Sequence, residues 1–294
     1  MPSRRNPQVT VLMPVYNAAG YVADAARSIL AEPVDDLELL VVDDGSTDES
    51  VAELTSLQDE RIRVVSQPNS GLVAALNTGL GEARGTYLAR MDADDLSVPG
   101  RIAAQVRWLE DRPGAVACGT DYEMFGAVTG RVRLPRTDRG CRERLLLGSC
   151  HCGASVVLRR TVVETARLRF DPDFPHAEDY EFFTRLAAYG ELGNVPMVGY
   201  RYRMHDDQVS SRHVDVQRSV HLRVAARYAA RIGMPPLSDD VVRKIMWPET
   251  DGVARATLVT AGAAAQALRR RPGIQTARFT GRRVVEAALS AAKS

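Results

Sequence analysis

Short apolar runs alternate with amphipathic stretches through the first half of the chain. Val9 to Val15 (VTVLMPV), Leu37 to Val42 (LELLVV), Ile62 to Val65 (IRVV) and Tyr87 to Met91 (YLARM) are β-branched or aliphatic. That composition belongs to strands covered on both faces. Between them, Tyr21 to Ala31, Glu49 to Leu57 and Leu72 to Ala83 carry a helical period. Ser46, Thr47 and Asp48 precede the second of these and supply side chains that cap exposed N–H groups of a first helical turn. Strand, helix, strand at this spacing predicts βαβ units, hence an α/β fold with a mostly parallel sheet flanked by helices.

Beyond Val98, RIAAQVRWLEDRPG predicts another amphipathic helix, ending near Pro113-Gly114, and Ala115 to Cys118 a strand. Arg136 to Arg160 is irregular. HAEDYEFFTRLAAYG predicts a helix closed by Gly190, and GNVPMVGYRYRMH a strand ending in basic residues. From Val214 onward the pattern is helical only and rich in Ala and Arg. The expected organisation is a nucleotide-binding domain over 1–211 and a C-terminal helical appendage over 212–294.

Composition changes this picture little. The chain has 294 residues, 45% hydrophobic and 26% charged, as in ordinary soluble globular proteins. No apolar run is long enough to cross a bilayer and no apolar leader follows MPSRRNPQ, so the expected location is the cytoplasm. Cys118, Cys141, Cys150 and Cys152 read as reduced thiols. Cys150-His151-Cys152 lacks a second ligand cluster, which makes structural zinc the weaker alternative there.

Charge is divided unevenly. After Ser211 there are fifteen Lys and Arg against six Asp and Glu, a surplus of +9 on a body of −8. Arg269-Arg270-Arg271 and Arg282-Arg283 dominate that surplus. A basic tail suggests an anionic contact, with the inner face of a membrane or a lipid-linked acceptor as the expected partner and no nucleic acid. The competing expectation is a solvated face on helices that pack on the body or join copies into a homo-oligomer.

In an open parallel sheet, ligands bind outside the carboxyl ends of the strands. Asp43, Asp44 and Gly45 follow one apolar run; Asp92, Ala93, Asp94 and Asp95 follow another. Two acidic clusters at one rim are costly unless a cation or hydrogen-bond donors compensate them. The turn PVYNAAGY lacks G-x-G-x-x-G, and no Walker loop is present, so phosphate neutralisation falls to a divalent ion, Mn²⁺ or Mg²⁺, held by Asp92-Ala93-Asp94. Gly45 and Ser46 suit a tight turn, leaving a neighbouring carboxylate to accept from base and ribose.

PVYN (Pro14 to Asn17), VVDDGSTD, NSGLVAALNTGL, ARGTYLARMDADD, Pro99 with Arg101, and Glu178-Asp179 together resemble glycosyltransferase family 2, across about residues 8 to 210. The resemblance implies a GT-A fold, an inverting, non-processive hexosyltransferase-like enzyme and a nucleoside diphosphate sugar donor, most often a uridine one. Pro14 and Tyr16 would lie near the nucleobase, Asp44 would accept from its imide N–H, and Asp92 would sit at the ribose. Asp94 would bind metal, and Asp179 would be the base, with Glu178 raising its proton affinity or orienting the acceptor. His205 would lie near metal or diphosphate, and Arg203 would meet phosphate. The expected acceptors are a cell-surface glycan, a glycolipid or a small molecule.

Three positions depart from the family's pattern. Cys152 follows His151 where relatives carry proline; Leu76 stands where some carry a basic residue. QVRW (Gln105 to Trp108) reads as packing rather than as a processive-synthase motif. Two other functions compete: a sugar nucleotidyltransferase, whose glycine-rich basic loop is missing here, and a catalytically silent sugar-nucleotide-binding or membrane-docking module.

Overall fold

The computed structural model describes residues 6–205 and 214–247. The first half forms the expected βαβ succession: β1 (Val9–Val15), α1 (Val22–Leu30), β2 (Leu37–Asp43), α2 (Ser50–Ser56), β3 (Ile62–Ser66), α3 (Leu72–Glu82) and β4 (Tyr87–Arg90). After them come β5 (Leu96–Ser97), α4 (Arg101–Glu110), β6 (Ala115–Gly126), β7 (Gly130–Val132), α5 (Asp138–Leu145), β8 (Val157–Arg159), α6 (Arg160–Thr165), α7 (Glu178–Leu186) and β9 (Glu191–Met204). Two further helices follow, α8 (Val214–Arg231) and α9 (Asp239–Met246). The N-cap of α2 is Glu49, which makes no side-chain cap; Asp48, one position earlier, accepts from the backbone N–H of Ser50 at 3.0 Å.

Among the described residues the strands form one sheet in the order β3-β2-β1-β4-β8-β6-β9-β5, with β7 paired to β6. β3, β2, β1 and β4 are mutually parallel; past β4 the pairing is mixed, because β8 runs antiparallel to both β4 and β6. All seven residues of β1 are buried. Its alternation sorts them: Val9, Val11, Met13 and Val15 join the core under α1 and α4, while Leu12 joins the core under α3 and α7. Leu76 is fully buried in this second core, so it packs beneath the rim and reaches no phosphate.

Several stretches differ from expectation. The strand expected over Ala115 to Cys118 runs to Gly126, because its long partner β9 continues the ladder. The irregular Arg136 to Arg160 segment contains α5, a short turn and β8. Gly190 does not close α7, which ends at Leu186; a Cβ at Gly190 would lie 2.4 Å from Val116 and 2.5 Å from the Gly114 carbonyl, so close strand approach is its role. Gln105 packs as expected, donating to the carbonyls of Cys118 and Ser155.

The helix expected to open the appendage packs on the body, as the competing expectation has it. Val220, Val224, Ala225, Tyr228 and Ala229 of α8 are buried with residues of α5 and α7. Arg223 and Arg227 lie over the Phe174 ring, and Arg227 and Arg231 face the buried Glu181 carboxylate. The described basic residues of this helix are therefore spent on packing. The Arg269 to Arg271 and Arg282-Arg283 clusters lie outside the described residues. Among the described residues no helix is long and apolar enough to cross a membrane.

Candidate active site

Chain order reverses direction at β1: β2 and β3 lie to one side, β4 to the other. Such a switch point leaves a crevice at the strands' carboxyl ends, which here releases the PVYN, DDGS and DADD loops together. Pro14 is buried at the end of β1, and Tyr16, 52% exposed, stands at the mouth. The Asn17 to Gly20 backbone is tied to the neighbouring loop by Ser46, Asp48, Ser50 and Glu53 side chains. The floor beneath Tyr16 is thus fixed by side-chain hydrogen bonds.

Asp44 is less free than expected. Its Oδ1 accepts from Gln67 Nε2 at 2.7 Å and Ser70 N at 2.9 Å, and its Oδ2 from Gly71 N at 2.8 Å. A carboxylate has about four acceptor positions, so one remains. Asp43 takes the turn role beside it, accepting from Ser46 N. Gly45 permits the turn at φ +76, and a Cβ there would lie 2.8 Å from Asn69 N.

The acidic loop after β4 is fastened to β9. Tyr200 Oη accepts from Asp92 N, Arg203 N donates to Asp95 Oδ1 at 2.6 Å, and Arg203 Nε donates to the Asp94 carbonyl at 2.7 Å. The Arg203 guanidinium lies between the Tyr21 and Phe125 rings, at 4.9 and 4.6 Å. His205 Nε2 is 3.1 Å from Asp94 Oδ2 and its ring stacks on Tyr21. The structure therefore joins Asp94, Arg203 and His205, with Arg203 bracing the loop's backbone.

At the N-terminus of α7, Glu178 is buried and Asp179 half-buried. Arg90, the last residue of β4, bridges the two acidic groups: Nη2 is 3.2 Å from Asp92 Oδ1 and Nη1 is 3.8 Å from Glu178 Oε1. Burial pushes Glu178 up to about 7, assisted by the Asp179 charge. Burial also raises Asp92 and Asp179, with Arg90 opposing both. Asp95 is pushed up to about 8 by burial and then by the Asp94 and Asp92 charges. Asp92 and Asp179, both half-buried, thus feel one guanidinium at a single rim, and the Asp179 charge adds to the raised proton affinity of Asp92.

Residues 10–166 match the model of Glycosyl transferase family 2. The chain belongs to glycosyl transferase family 2. An uncharacterized glycosyltransferase of Haemophilus influenzae is 33% identical over 219 residues, covering 70% of this chain and 68% of that protein. Chondroitin synthase of Pasteurella multocida is 26% identical over 227 residues, and the match spans only 23% of its length. Among solved structures, S. aureus TarS 1-349 in complex with UDP-GlcNAc is similar with a TM-score of 0.65 and 15% identity, covering 97% of this chain and 91% of that one. Mannosyltransferase PcManGT from Pyrobaculum calidifontis, in complex with GDP-Man and Mn²⁺, is similar at 0.61 and 20% identity, covering 98% and 88%. These structural likenesses show the GT-A fold of the family 2 chain.

Its donor set fits one divalent ion only in part. The 3.1 Å between Asp94 Oδ2 and His205 Nε2 is close to the spacing of two adjacent ligands on an octahedral ion with bonds of about 2.1 Å. Among the described residues no group of three or more His, Cys, Asp or Glu side chains forms a metal site. An ion on this pair would complete its shell with water and phosphate oxygens, as Mg²⁺ commonly does. Cys150, His151 and Cys152 are not gathered into such a group either. His151 is buried, its Nδ1 3.0 Å from Asn194 Oδ1 and its ring edge-on to Phe183, and burial lowers it to about 4.

Arg90, Tyr200 and Gly153 escaped the motif-based assignment of the site. Arg90 was legible as a charge inside an apolar strand; Gly153 left no signal. A Cβ at 153 would lie 2.3 Å from Asp179 Oδ2 and 2.9 Å from its Cβ and Cγ. Gly153→Ala must therefore displace the Asp179 side chain. A shift near 1 Å is expected to lower kcat about 100-fold with nucleotide affinity retained. An unchanged kcat in this variant would show that Asp179 tolerates displacement.

The raised carboxyls also set a pH dependence. Glu178 and Asp95 hold protons more tightly in the folded chain than in the unfolded one, where carboxyls titrate near 4. The folded state therefore carries more protons between about pH 4 and pH 8, and stability falls as pH rises through that window. Thermal unfolding of metal-free protein should shift downward between about pH 5.5 and 8.5, by roughly 2–4 °C per kcal/mol lost. A midpoint that climbs over this range would contradict these protonation states.

Proposed function

We propose that the protein transfers a sugar from a nucleoside diphosphate donor, UDP-linked, to an acceptor hydroxyl with inversion at the anomeric carbon. The observation that carries this reading is the convergence of Asp92, Asp94 and Asp179 on the rim where β1 also ends, just before the exposed Tyr16. Tyr16 offers a face for the nucleobase, and Asp44 keeps one acceptor position for its imide N–H. Asp92 receives the ribose. Asp94 and His205 would hold Mn²⁺ or Mg²⁺, which neutralises charge on the departing diphosphate.

Asp179 accepts the proton of the acceptor hydroxyl as its oxygen bonds to the anomeric carbon and the bond to the diphosphate oxygen breaks. Its elevated proton affinity, from burial opposed by Arg90, suits a base that must take a hydroxyl proton during attack. Sequence similarity to a chondroitin synthase and a hyaluronan synthase, of which the matches span 23% and 24%, supports a glycan acceptor, and a cell-surface glycan or glycolipid is the acceptor class we propose. The loop after β1, Tyr16 to Gly20, carries no basic side chain, which disfavours the nucleotidyltransferase alternative.

A panel of UDP- and GDP-linked sugars with Mn²⁺ tests this reading by protection against thermal unfolding. At least one UDP sugar is expected to raise the midpoint, and the free sugars are not. Protection by nucleoside triphosphates alone would point to the nucleotidyltransferase class. Anomeric coupling constants in the product check the stereochemistry: a retained configuration would contradict single in-line displacement.

A further inference from the structure

Arg90 is a cation at the end of a buried parallel strand, 9% exposed and placed between two carboxylate groups that belong to different elements. On one side stands Asp92, in the loop that leads to Asp94. On the other stand Glu178 and Asp179, on the first turn of α7. The charge of Asp179 also acts on Arg90. No other described cation lies within ion-pair distance of Asp92 or Glu178.

The arrangement is poorly explained by stability alone. Burying a guanidinium costs desolvation that a mutual attraction seldom repays unless every N–H finds a partner. Here Nε is buried with no hydrogen-bond partner among the described residues, and the Glu178 contact is long at 3.8 Å. What the side chain does is span the two sides. Its planar fork presents Nη2 to Asp92 at 3.2 Å and Nη1 to Glu178 at 3.8 Å, a rigid geometry suited to holding the two sides at a set spacing. Gly153 also confines Asp179, since not even a methyl group fits between them.

We propose that Arg90 is a positioning residue of the transfer reaction: one guanidinium registers Asp92 against Glu178 and Asp179, so that bound donor and base meet at the reacting distance. The proposal rests on the glycosyltransferase reading above. It differs from a role in charge neutralisation, which any cation could fill. A lysine ammonium is a point charge on a flexible stem and cannot hold both sides at a set spacing.

The test compares Arg90→Lys, Arg90→Gln paired with Glu178→Gln to keep the local charge balance, and Asp179→Asn with and without Arg90→Lys. All are made in the full chain. Thermal unfolding reports the fold, calorimetry with UDP and with GDP in Mn²⁺ reports nucleotide affinity, and nucleotide-sugar turnover reports kcat. Arg90→Lys is expected to lower kcat about 100-fold with nucleotide affinity within about threefold of wild type, because misplacement near 1 Å damages the reaction more than binding. In the Asp179→Asn background the same change should cost less than about threefold more, since the base to be positioned is already gone. The charge-balanced pair should keep a near-native unfolding midpoint and share the kcat loss.

Wild-type kcat in Arg90→Lys would overturn the proposal in favour of simple neutralisation. Fully additive losses in the Asp179→Asn background would overturn it too, because the residues would then act separately. A wild-type chain that turns over no nucleotide sugar would sink the reaction reading itself, and this role with it.

Discussion

Replacing Asp179 by Asn is expected to lower the rate of transfer by about 10² to 10⁴-fold, the usual contribution of a positioned general base. The amide keeps the shape, and its oxygen can still accept from the Tyr180 backbone N–H, as Oδ1 does now at 2.6 Å. It cannot take a proton from an acceptor hydroxyl. Nucleotide affinity should stay near that of the native chain, because Tyr16, Asp44 and Asp94 are untouched. Steady-state turnover with saturating donor provides the check; retention of more than about half the kcat would remove Asp179 as base at the rate-limiting step and leave Glu178 as the next group to examine.

Asp94→Ala is expected to have the second large effect. Its carboxylate is 31% exposed and contributes little packing, so the fold should survive. The change deprives His205 Nε2 of its partner and removes one of the two groups suited to a divalent ion. Loss of charge stabilisation on a leaving diphosphate is worth several kcal/mol, on the order of 10² to 10³-fold in rate. Excess chelator should impose the same loss on the native chain and no further loss on the variant. Full turnover of the native protein in chelator would contradict a metal at Asp94.

Much of this was readable in the sequence because the strongest local signals coincide with the site. Buried parallel strands are short apolar runs, and whatever polar residue ends such a run must lie at the carboxyl rim. That logic placed Asp44, Asp92 and Asp94 correctly at the strand ends. It did not show that Asp44 would already carry three hydrogen bonds, because nothing in VVDDGSTD reveals that Gln67, Ser70 and Gly71 fold back onto that carboxylate. Contacts between loops far apart in sequence leave no period to read.

The second half was harder for the same reason. β6 extends eight residues past the strand expected, to Gly126, because β9 lies beside it and not because Asp121 to Gly126 reads as strand. α8 was assigned to a separate appendage on composition, since Arg and Ala dominate it. Its buried face, Val220, Val224 and Tyr228, shares a hydrophobic core with α7, while Arg223, Arg227 and Arg231 turn to Phe174 and Glu181. Charge counted along the chain could not foresee that those arginines have carboxylates waiting on another helix.

Release of nucleoside diphosphate from UDP sugars is the measurement closest to the central claim. Each sugar is incubated with the native chain, with Asp94→Ala and with Asp179→Asn, in Mn²⁺ and in chelator. The native chain in Mn²⁺ should release nucleoside diphosphate from at least one donor; chelator and Asp94→Ala should abolish that release, and Asp179→Asn should strongly reduce it when an acceptor is present. Equal release by all three chains, or release that ignores chelator, would contradict that claim.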